Sequence, residues 1–473
     1  MVSTVAAQSV VLVVLARLLG PESFGLIGQA MIFVGFAQIL SEIGMAEAIV
    51  QRRELNEDHY RTAFTLSVAA GGLLSVSVWM GAEVLAGVFG EAELGPLLRI
   101  LSVAFFFSSV GTTRMGVLQR NLDFRSKYWV AVVPYIAGYA PVGITLAYLD
   151  FGPWALAYAI LVERCLSMIL LFVLTEHPRN PGFSLREAKD LLGFGTGYSI
   201  NTIVWYFTRN TDLFVVGRWM GPAALGFYSW ASSLIKAPVM ASTILVDVLF
   251  PAYAEIQDEP ERLKTAFMRS VSVAALIAYP LLAGMFLVAP ELVRGVFGAR
   301  WEPTVGVLQI QCVGALVWCI NSLSEAAVRA KGAVFALMSR RLLFSVVLFA
   351  GAFFGVLWGI EGVASGVVGA LLVWYLLLSH LTLRLVDGSW KDLLLAQSSG
   401  LMLATIVAAV AYGMTALLRS RGYPDLVILG STIICCGLAV AATAILVPKT
   451  KLSDGPLWAR HKVEVLWDQR FGG

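Results

Sequence analysis

The sequence alternates long apolar runs with short polar stretches along almost its whole length. A helix that crosses a bilayer needs about 20 mostly apolar residues, and fourteen runs come close to that length or exceed it. We therefore predict an all-α polytopic membrane protein with about fourteen transmembrane helices. The predicted helices lie at 1–19, 25–50, 63–88, 96–117, 128–149, 153–174, 191–219, 222–250, 266–294, 304–328, 334–358, 361–385, 394–417 and 424–447.

Composition and charge narrow the classes of function. Hydrophobic residues make up 58% of the 473 residues and charged residues only 14%, and the mean hydropathy is +0.78. Soluble domains carry roughly 25% charged residues, so this chain has too little charge to cover a water-facing surface. The formal charge is +3 and no basic cluster occurs, which argues against nucleic acid as a partner. All five cysteines lie within apolar runs, so we predict neither a metal site nor a cofactor.

The distribution of Lys and Arg predicts the orientation in the membrane. With the amino terminus inside, 24 of these residues fall in loops, linker and tail assigned to the cytoplasm. The positive-inside rule gives such an asymmetry for an even number of spans. We therefore predict that both termini are cytoplasmic. Seven cations fall on the opposite side, namely Arg17, Arg99, Arg218, Arg294, Arg300, Arg419 and Arg421.

A short motif occurs twice in the chain, 201 residues apart. Residues 15–25 read LARLLGPESFG and residues 216–226 read VGRWMGPAALG, so that Arg, Gly, Pro and Gly coincide. A second match, GVFG at 87–90 and at 295–298, has nearly the same shift. We interpret these matches as a parallel internal repeat of two six-helix lobes. In such repeats a binding site is expected between the halves, near the midplane of the membrane.

The repeat divides the chain into five predicted segments. An N-terminal six-helix lobe (1–174) and a C-terminal six-helix lobe (191–385) are joined by a cytoplasmic linker (175–190). Two additional transmembrane helices (386–448) and a cytoplasmic tail (449–473) follow. In the linker, Ser184 and Glu187 have the spacing of a capping box, which predicts a short amphipathic helix that runs into the seventh span.

Polar side chains within the spans are the candidate substrate-binding residues. A charged residue in a span costs about 2.5–3.5 kcal/mol on insertion scales, so each requires a partner or a water-filled cavity. In the seventh span, Asn201, Trp205 and Asp212 lie on one helical face. Arg209 lies beside this face. We predict that this set contacts the substrate.

Four further positions complete the predicted site. Lys236 and Asp247 lie along one stripe of the eighth span. Lys236 has no acidic residue three or four positions away, which favours a cation that faces a cavity. Arg17 ends the first span, and Glu42 follows Gln38 by one helical turn in the second.

Structural roles remain as alternatives for several of these residues. Arg209 and Asp212 are three residues apart and can neutralise each other as an ion pair. Trp205 can serve in packing or in the interfacial aromatic belt. Arg17 lies close enough to a helix end for its guanidinium to reach the interface.

Two other charged pairs favour packing at least as much as function. Glu163 and Arg164 are adjacent in the sixth span and therefore lie on different faces of the helix. Helix packing explains them as well as a binding role does. Glu325 lies within about a turn of Arg329, and we predict that Glu325 lies at the membrane interface.

Three stretches give the sequence a family resemblance. They are residues 15–25, the stretch 209–228 that contains RNTD, GR, GP and LGFY, and PAYA at 251–254. The chain resembles the polysaccharide flippases of the multidrug/oligosaccharidyl-lipid/polysaccharide (MOP) exporter superfamily, the Wzx-type proteins of bacterial envelope synthesis. The likeness extends from residue 1 to about residue 450. Members of this family usually have a short polar segment before the first span, whereas Met1 lies almost within it, so we expect a truncated or misassigned start.

The resemblance implies two six-helix lobes around a central cationic cavity, together with two extra helices. It implies the transfer of undecaprenyl-diphosphate-linked oligosaccharide across the bacterial inner membrane by alternating access, among membrane lipid and other polysaccharide-assembly proteins. An anionic, sugar-bearing head group requires Arg or Lys together with neutral hydrogen-bonding groups. Arg209, Lys236 and Asn201 meet that requirement, and Trp205 offers an indole N–H and a ring face.

Two rival functions remain open at this stage. A cation-coupled drug or metabolite antiporter of the same superfamily would share the fold, but its cavity should favour acidic over basic residues. A membrane-embedded glycosyltransferase or polymerase would need catalytic residues on a sizeable external loop, and the longest loops here have about 16 residues. We therefore expect a transporter rather than an enzyme.

Overall fold

The computed structural model describes residues 2–42, 44–52, 54–175 and 181–446. These residues form α-helices joined by short turns, with a few π and 3₁₀ turns and no strand among them. All fourteen predicted spans fall on helices. Ten helical segments of the described chain are long and apolar enough to cross a membrane. The all-α membrane fold is thereby confirmed, whereas the predicted tail at 449–473 lies outside the described residues.

The count of ten differs from fourteen for two reasons. The segment Val334–Leu385 is counted once although it contains two helices, and α1 and the long helix α9, defined below, are not among the ten. The interior of α9 carries the polar residues that the sequence singles out as candidates for binding.

The chain divides into two compact units, the first ending at Ser229 and the second beginning at Trp230. The predicted lobe boundary at 174–191 lies earlier, and it remains a prediction. The first unit contains α1 (Val2–Leu18), α2 (Pro21–Glu42), α3 (Met45–Gln51), α4 (Glu57–Phe89), α5 (Leu94–Arg120), α6 (Phe124–Pro134), α7 (Ala140–Tyr148), α8 (Pro153–Leu174) and the first part of α9 (Leu185–Glu255).

Two predicted spans of the first unit are interrupted. The predicted helix 25–50 is two helices, because Gly44 lies between α2 and α3 with φ of +63°, in the left-handed region. The predicted helix 128–149 contains a π turn, Tyr135–Tyr139, between α6 and α7. This turn follows Pro134, which has no N–H to continue the helical hydrogen bonds.

The helix α9 carries the predicted linker helix and the seventh and eighth spans. It begins at Leu185 and runs without interruption into the seventh span, as predicted. The Ser184 hydroxyl hydrogen-bonds the Glu187 carboxylate, and that bond lowers the pKa of Glu187 below its ordinary value. The helix is broken at Gly221, where φ is +84°. This break separates a first limb (185–220) from a second limb (222–255).

The second unit is built around α10 and α14. The indole of Trp230 packs on Phe297 and Trp301, and Tyr253 packs on Phe267 inside the unit. Its helices after the second limb of α9 are α10 (Pro260–Glu291), α11 (Thr304–Ala330), α12 (Val334–Gly355), α13 (Gly359–Leu385), α14 (Trp390–Ser420) and α15 (Asp425–Leu446).

Candidate functional site

The first limb of α9 packs against α2 through polar contacts between a side chain and a backbone carbonyl. The Tyr206 hydroxyl donates to the carbonyl of Ile32 at 2.6 Å. The Gln29 amide, which is fully buried, donates to the carbonyl of Gly217 at 3.0 Å. These two bonds, about three helical turns apart along α9, fix the limb that carries the predicted site.

The two copies of the repeated motif contact each other in a reciprocal arrangement. A Cβ atom at Gly25 would lie 1.7 Å from the carbonyl oxygen of Pro222. A Cβ atom at Gly226 would lie 1.9 Å from the carbonyl oxygen of Pro21. Each glycine therefore admits the backbone of the other copy, where any side chain would collide. We call this contact of Pro21 and Gly25 with Pro222 and Gly226 the glycine cradle.

Arg209 and Trp205 lie together on the first limb of α9. The guanidinium of Arg209 lies 5.9 Å from the centre of the Trp205 ring, within the range of a cation–π contact. The Arg209 side chain is exposed, and within the described chain it forms no ion pair. A cation and an aromatic face are thus presented side by side.

Asp212 is held by Tyr228 rather than by Arg209. The Tyr228 hydroxyl, on a fully buried side chain, donates to the Asp212 carboxylate at 2.9 Å. The backbone N–H of Leu213 donates to the other carboxylate oxygen, also at 2.9 Å. The expectation of an Arg209–Asp212 ion pair is therefore wrong. After the break at Gly221, residues 222–229, which still belong to the first unit, return toward Asp212 and supply Tyr228.

The remaining predicted site residues are placed as follows. Arg17 is exposed at the end of α1, in the first unit, and Lys236 is exposed on the second limb of α9, in the second unit. Asn201, Glu42 and Asp247 lie on helices, but their side chains are outside the described part of the structure. Their predicted roles, like those of the other positions, remain predictions.

The first unit contains a cavity of about 240 Å³ between α2, α3, α5 and α8. We call it the α5–α8 cavity. Arg164 lines this cavity, although the sequence analysis did not select it as a candidate because its neighbour Glu163 suggested helix packing. The signal was available, since no acidic residue lies three or four positions from Arg164. The polar residues that line this cavity are Gln38, Ser108, Thr112, Gln119, Arg164 and Ser167.

Glu325 is paired inside the second unit. Its carboxylate receives a hydrogen bond from Arg341 of α12, and the two side chains are only 18% and 15% exposed. Arg329, the partner suggested by sequence spacing, lies instead over the ring of Phe250 at 5.2 Å. Glu325 therefore pairs with Arg341 of α12 rather than with Arg329, and its interfacial position stays a prediction.

Comparison with known proteins identifies relatives over most of the chain. Lipopolysaccharide biosynthesis protein WzxC of Escherichia coli (strain K12) is 29% identical over 326 residues, which are 68% of this chain and 66% of that protein. Succinoglycan biosynthesis transport protein ExoT of Rhizobium meliloti (strain 1021) is 26% identical over 312 residues, or 65% and 63% of the two chains. The chain spans just under two thirds of the length of both relatives.

The fold and the family agree with these relatives. The solved structure of lipid II flippase MurJ, in an inward closed conformation, superposes with a TM-score of 0.72 and 16% identity, covering 93% of this chain and 96% of that one. The family described as polysaccharide biosynthesis protein matches residues 14–306, which is more than half of the chain. The resemblance to Wzx-type proteins is confirmed, and the chain belongs to the polysaccharide biosynthesis protein family.

Proposed function

We propose that this protein is a flippase that moves undecaprenyl-diphosphate-linked oligosaccharide units across the bacterial inner membrane. It acts by alternating access, for exopolysaccharide, capsule or O-antigen synthesis. The names of the relatives, which refer to lipopolysaccharide biosynthesis and to succinoglycan transport, support this proposal. The observation that carries it is the exposed Arg209 guanidinium beside the Trp205 ring, on a helix limb fixed against α2.

The chemistry of these two side chains suits the proposed substrate. A guanidinium binds phosphate oxygens through two parallel, charge-assisted hydrogen bonds. The indole adds an N–H donor and a flat apolar face against which a sugar ring can pack. Lys236 provides a second cation, a compact ammonium on a flexible stem. Each carboxylate oxygen of Asp212 accepts one hydrogen bond, one from Tyr228 and the other from the N–H of Leu213.

The same proposal includes the orientation of the protein in the membrane and its partners. We propose that both termini are cytoplasmic, that membrane lipid surrounds the helices, and that other polysaccharide-assembly membrane proteins act beside the flippase. A cation-coupled antiporter is the second candidate. The carboxylate of Asp212 favours it, because a carboxylate within a span is the group that such an antiporter uses to bind its cation.

Translocation by the purified protein tests the proposal. Vesicles that contain the protein and undecaprenyl-diphosphate-linked oligosaccharide are treated with a membrane-impermeant lectin, which reports the sugar exposed on the outer leaflet. We expect Arg209→Ala and Lys236→Ala each to reduce the rate at least tenfold, because each removes a cation that binds the diphosphate. Lys236→Arg keeps the charge and should retain part of the activity, whereas Lys236→Gln should not.

Arg99→Gln is the matched control. The Arg99 guanidinium is paired with the Glu83 carboxylate at a distance of 2.9 Å, and neither residue belongs to the proposed site. It should insert and transport like the wild type. Wild-type rates for both alanine variants would contradict the role of the cations. Transport of an organic cation in exchange for sodium ions or protons, with no movement of the oligosaccharide, would favour the antiporter instead.

A further inference from the structure

The α5–α8 cavity carries a single charged group among the described residues that line it, the guanidinium of Arg164. Within the described chain this side chain forms no hydrogen bond and no ion pair. A cation in a span costs about 2.5–3.5 kcal/mol on insertion scales, and more if it is kept dry. Arg164 therefore faces a space that must supply either water or an anion.

The acidic neighbour of Arg164 lies on another face of α8. Gly138 packs against the backbone of Glu163 and against the side chains of Val162 and Leu166. Arg164 and Ser167 face the cavity, toward α5. Because adjacent helical residues diverge by about 100°, the carboxylate of Glu163 and the cavity are on different sides of the helix.

The neutral groups of the cavity complement a sugar-bearing anion. The Thr112 hydroxyl donates to the carbonyl of Ser108 at 3.2 Å, and the Ser108 hydroxyl donates to the carbonyl of Ala104 at 3.4 Å. Both hydroxyl hydrogens are thus used within α5, and both oxygens remain able to accept. Arg164 can donate to phosphate oxygens, while the hydroxyl oxygens of Ser108 and Thr112 accept from sugar hydroxyls.

The size and position of the cavity also fit a head group. Its 240 Å³ far exceeds the roughly 10–15 Å³ that one water needs, but it is below the roughly 300–1,000 Å³ of a site for a whole drug-sized ligand. Gln119 is one residue from the end of α5, and Leu171 is three residues from the end of α8. Both helices end on the predicted cytoplasmic side, where a lipid-linked oligosaccharide would enter.

We infer that the α5–α8 cavity binds the head group of an anionic lipid, with the Arg164 guanidinium donating to its phosphate oxygens and the hydroxyl oxygens of Ser108 and Thr112 accepting from its hydroxyl groups. The identity of that lipid as the diphosphate-linked substrate rests on the proposed function. The same chemistry would bind free diphosphate or the phosphate of an anionic membrane lipid, and the experiment separates these sources.

The experiment measures binding by the full chain in nanodiscs of a zwitterionic lipid. The probes are undecaprenyl diphosphate, phosphatidylglycerol and inorganic pyrophosphate, each titrated by native mass spectrometry or by ligand-induced thermal shift. We expect Arg164→Gln to weaken the binding of undecaprenyl diphosphate at least tenfold and Arg164→Lys to weaken it about threefold, since Lys lacks the bidentate fork. Arg99→Gln should bind like the wild type.

A second variant keeps the test decisive if Arg164→Gln fails to fold. Ser167→Leu leaves the cation in place and fills the cavity, so it should also weaken binding at least tenfold. Tight binding of phosphatidylglycerol or pyrophosphate that depends on Arg164, with no preference for undecaprenyl diphosphate, would overturn the assignment to the substrate lipid. Wild-type affinity in both Arg164→Gln and Ser167→Leu would overturn the site itself.

The outcomes separate this inference from the proposed function. If the wild type translocates oligosaccharide through Arg209 and Lys236 while Arg164→Gln binds and transports normally, the cavity proposal fails alone. If Arg164 governs the binding of the diphosphate lipid but wild-type vesicles translocate nothing, the flippase proposal fails and the site stands.

Discussion

In two regions of the molecule, segments approach each other so closely that their backbones are in contact, but the two contacts are built differently. In the glycine cradle of the first unit, Gly25 and Gly226 admit the carbonyl oxygens of Pro222 and Pro21. In the second unit, α10 and α14 approach closely at Gly400, where a Cβ atom would lie 2.6 Å from the backbone of Ala275.

The two regions differ in what accompanies the close approach. The α10–α14 pair has an ion pair at each end, since Lys264 binds Asp392 at 3.1 Å and Arg419 binds Glu291. The cradle is made by the backbone of two proline–glycine segments. Close packing of this kind depends on geometry alone, whereas an ion pair resists separation over a longer distance. We therefore expect the α10–α14 pair to be the more rigid contact and the cradle to be the contact that opens more readily.

The largest effect is expected at the Glu291–Arg419 ion pair. Glu291 is fully buried, whereas the Arg419 side chain is 46% exposed. Arg419→Ala leaves a buried carboxylate without its cation and should reduce the free energy of unfolding by about 3–5 kcal/mol. Glu291→Gln leaves only a half-exposed cation and should cost clearly less. Unfolding in mixed micelles titrated with sodium dodecyl sulfate measures both.

The double variant, Arg419→Ala with Glu291→Gln, provides the control for this prediction. It should recover most of the stability lost in Arg419→Ala, because no uncompensated charge remains. Equal losses in both single variants would contradict the asymmetry, and with it the idea that this pair makes the α10–α14 contact rigid.

A smaller effect is expected in the glycine cradle. Gly25→Ala places a methyl group against the carbonyl of Pro222, so the two segments must separate, at a cost of about 1–3 kcal/mol for such overpacking. Gly20→Ala, in the same motif, is the matched control because no atom lies within 4 Å of its Cβ position. Micelle unfolding gives the stability, and vesicle translocation gives the activity.

If the cradle is a contact that opens during the cycle, Gly25→Ala should change the translocation rate by a larger factor than its effect on folded protein explains. A rate that falls only in proportion to the amount of folded protein would instead make the cradle another fixed contact, like the α10–α14 pair. Reduced stability in Gly20→Ala would show that the motif tolerates no added methyl group anywhere, rather than only at the contact with Pro222.

The smallest effect is expected at the other end of the α10–α14 pair. Lys264 and Asp392 are both about one third exposed, so water and salt screen their attraction. Lys264→Ala should leave the Tm of the purified protein within a degree of the wild type. A loss of stability comparable to that of Arg419→Ala would show that the location of an ion pair at an end of the α10–α14 contact, rather than its burial, decides how much it stabilises the protein.

The sequence predicted the helices well because their signal is local. Runs of apolar residues mark each span, and the Gly-Pro steps at 20–21 and 221–222 mark two of the breaks. The Ser184–Glu187 spacing likewise predicted the start of α9. What failed were pairings inferred from spacing within one helix. Arg209 and Asp212 are suitably spaced, yet Tyr228 reaches Asp212 after the chain turns back at Gly221.

Contacts between distant segments could not be predicted from spacing. The motif copies at 15–25 and 216–226 are visible as a repeat, but nothing in their residues states that they contact each other. In the same way, the absence of an acidic residue three or four positions from Arg164 did not reveal that α5 and α8 enclose a cavity beside it. Predicting a binding site requires knowing which helix faces are apposed, and hydrophobic periodicity does not supply that information.

The α10–α14 pair also has a consequence for how the protein is made. About 100 residues separate the end of α10 at Glu291 from the start of α14 at Trp390. At about 5–20 residues per second, a ribosome needs roughly 5–20 s to synthesise them. During that interval the α10 surface that later receives Gly400 has no partner from α14, and Glu291 has no Arg419. The nascent chain therefore passes through a stage in which this contact surface of α10 is uncovered, and release of α14 from the ribosome ends it.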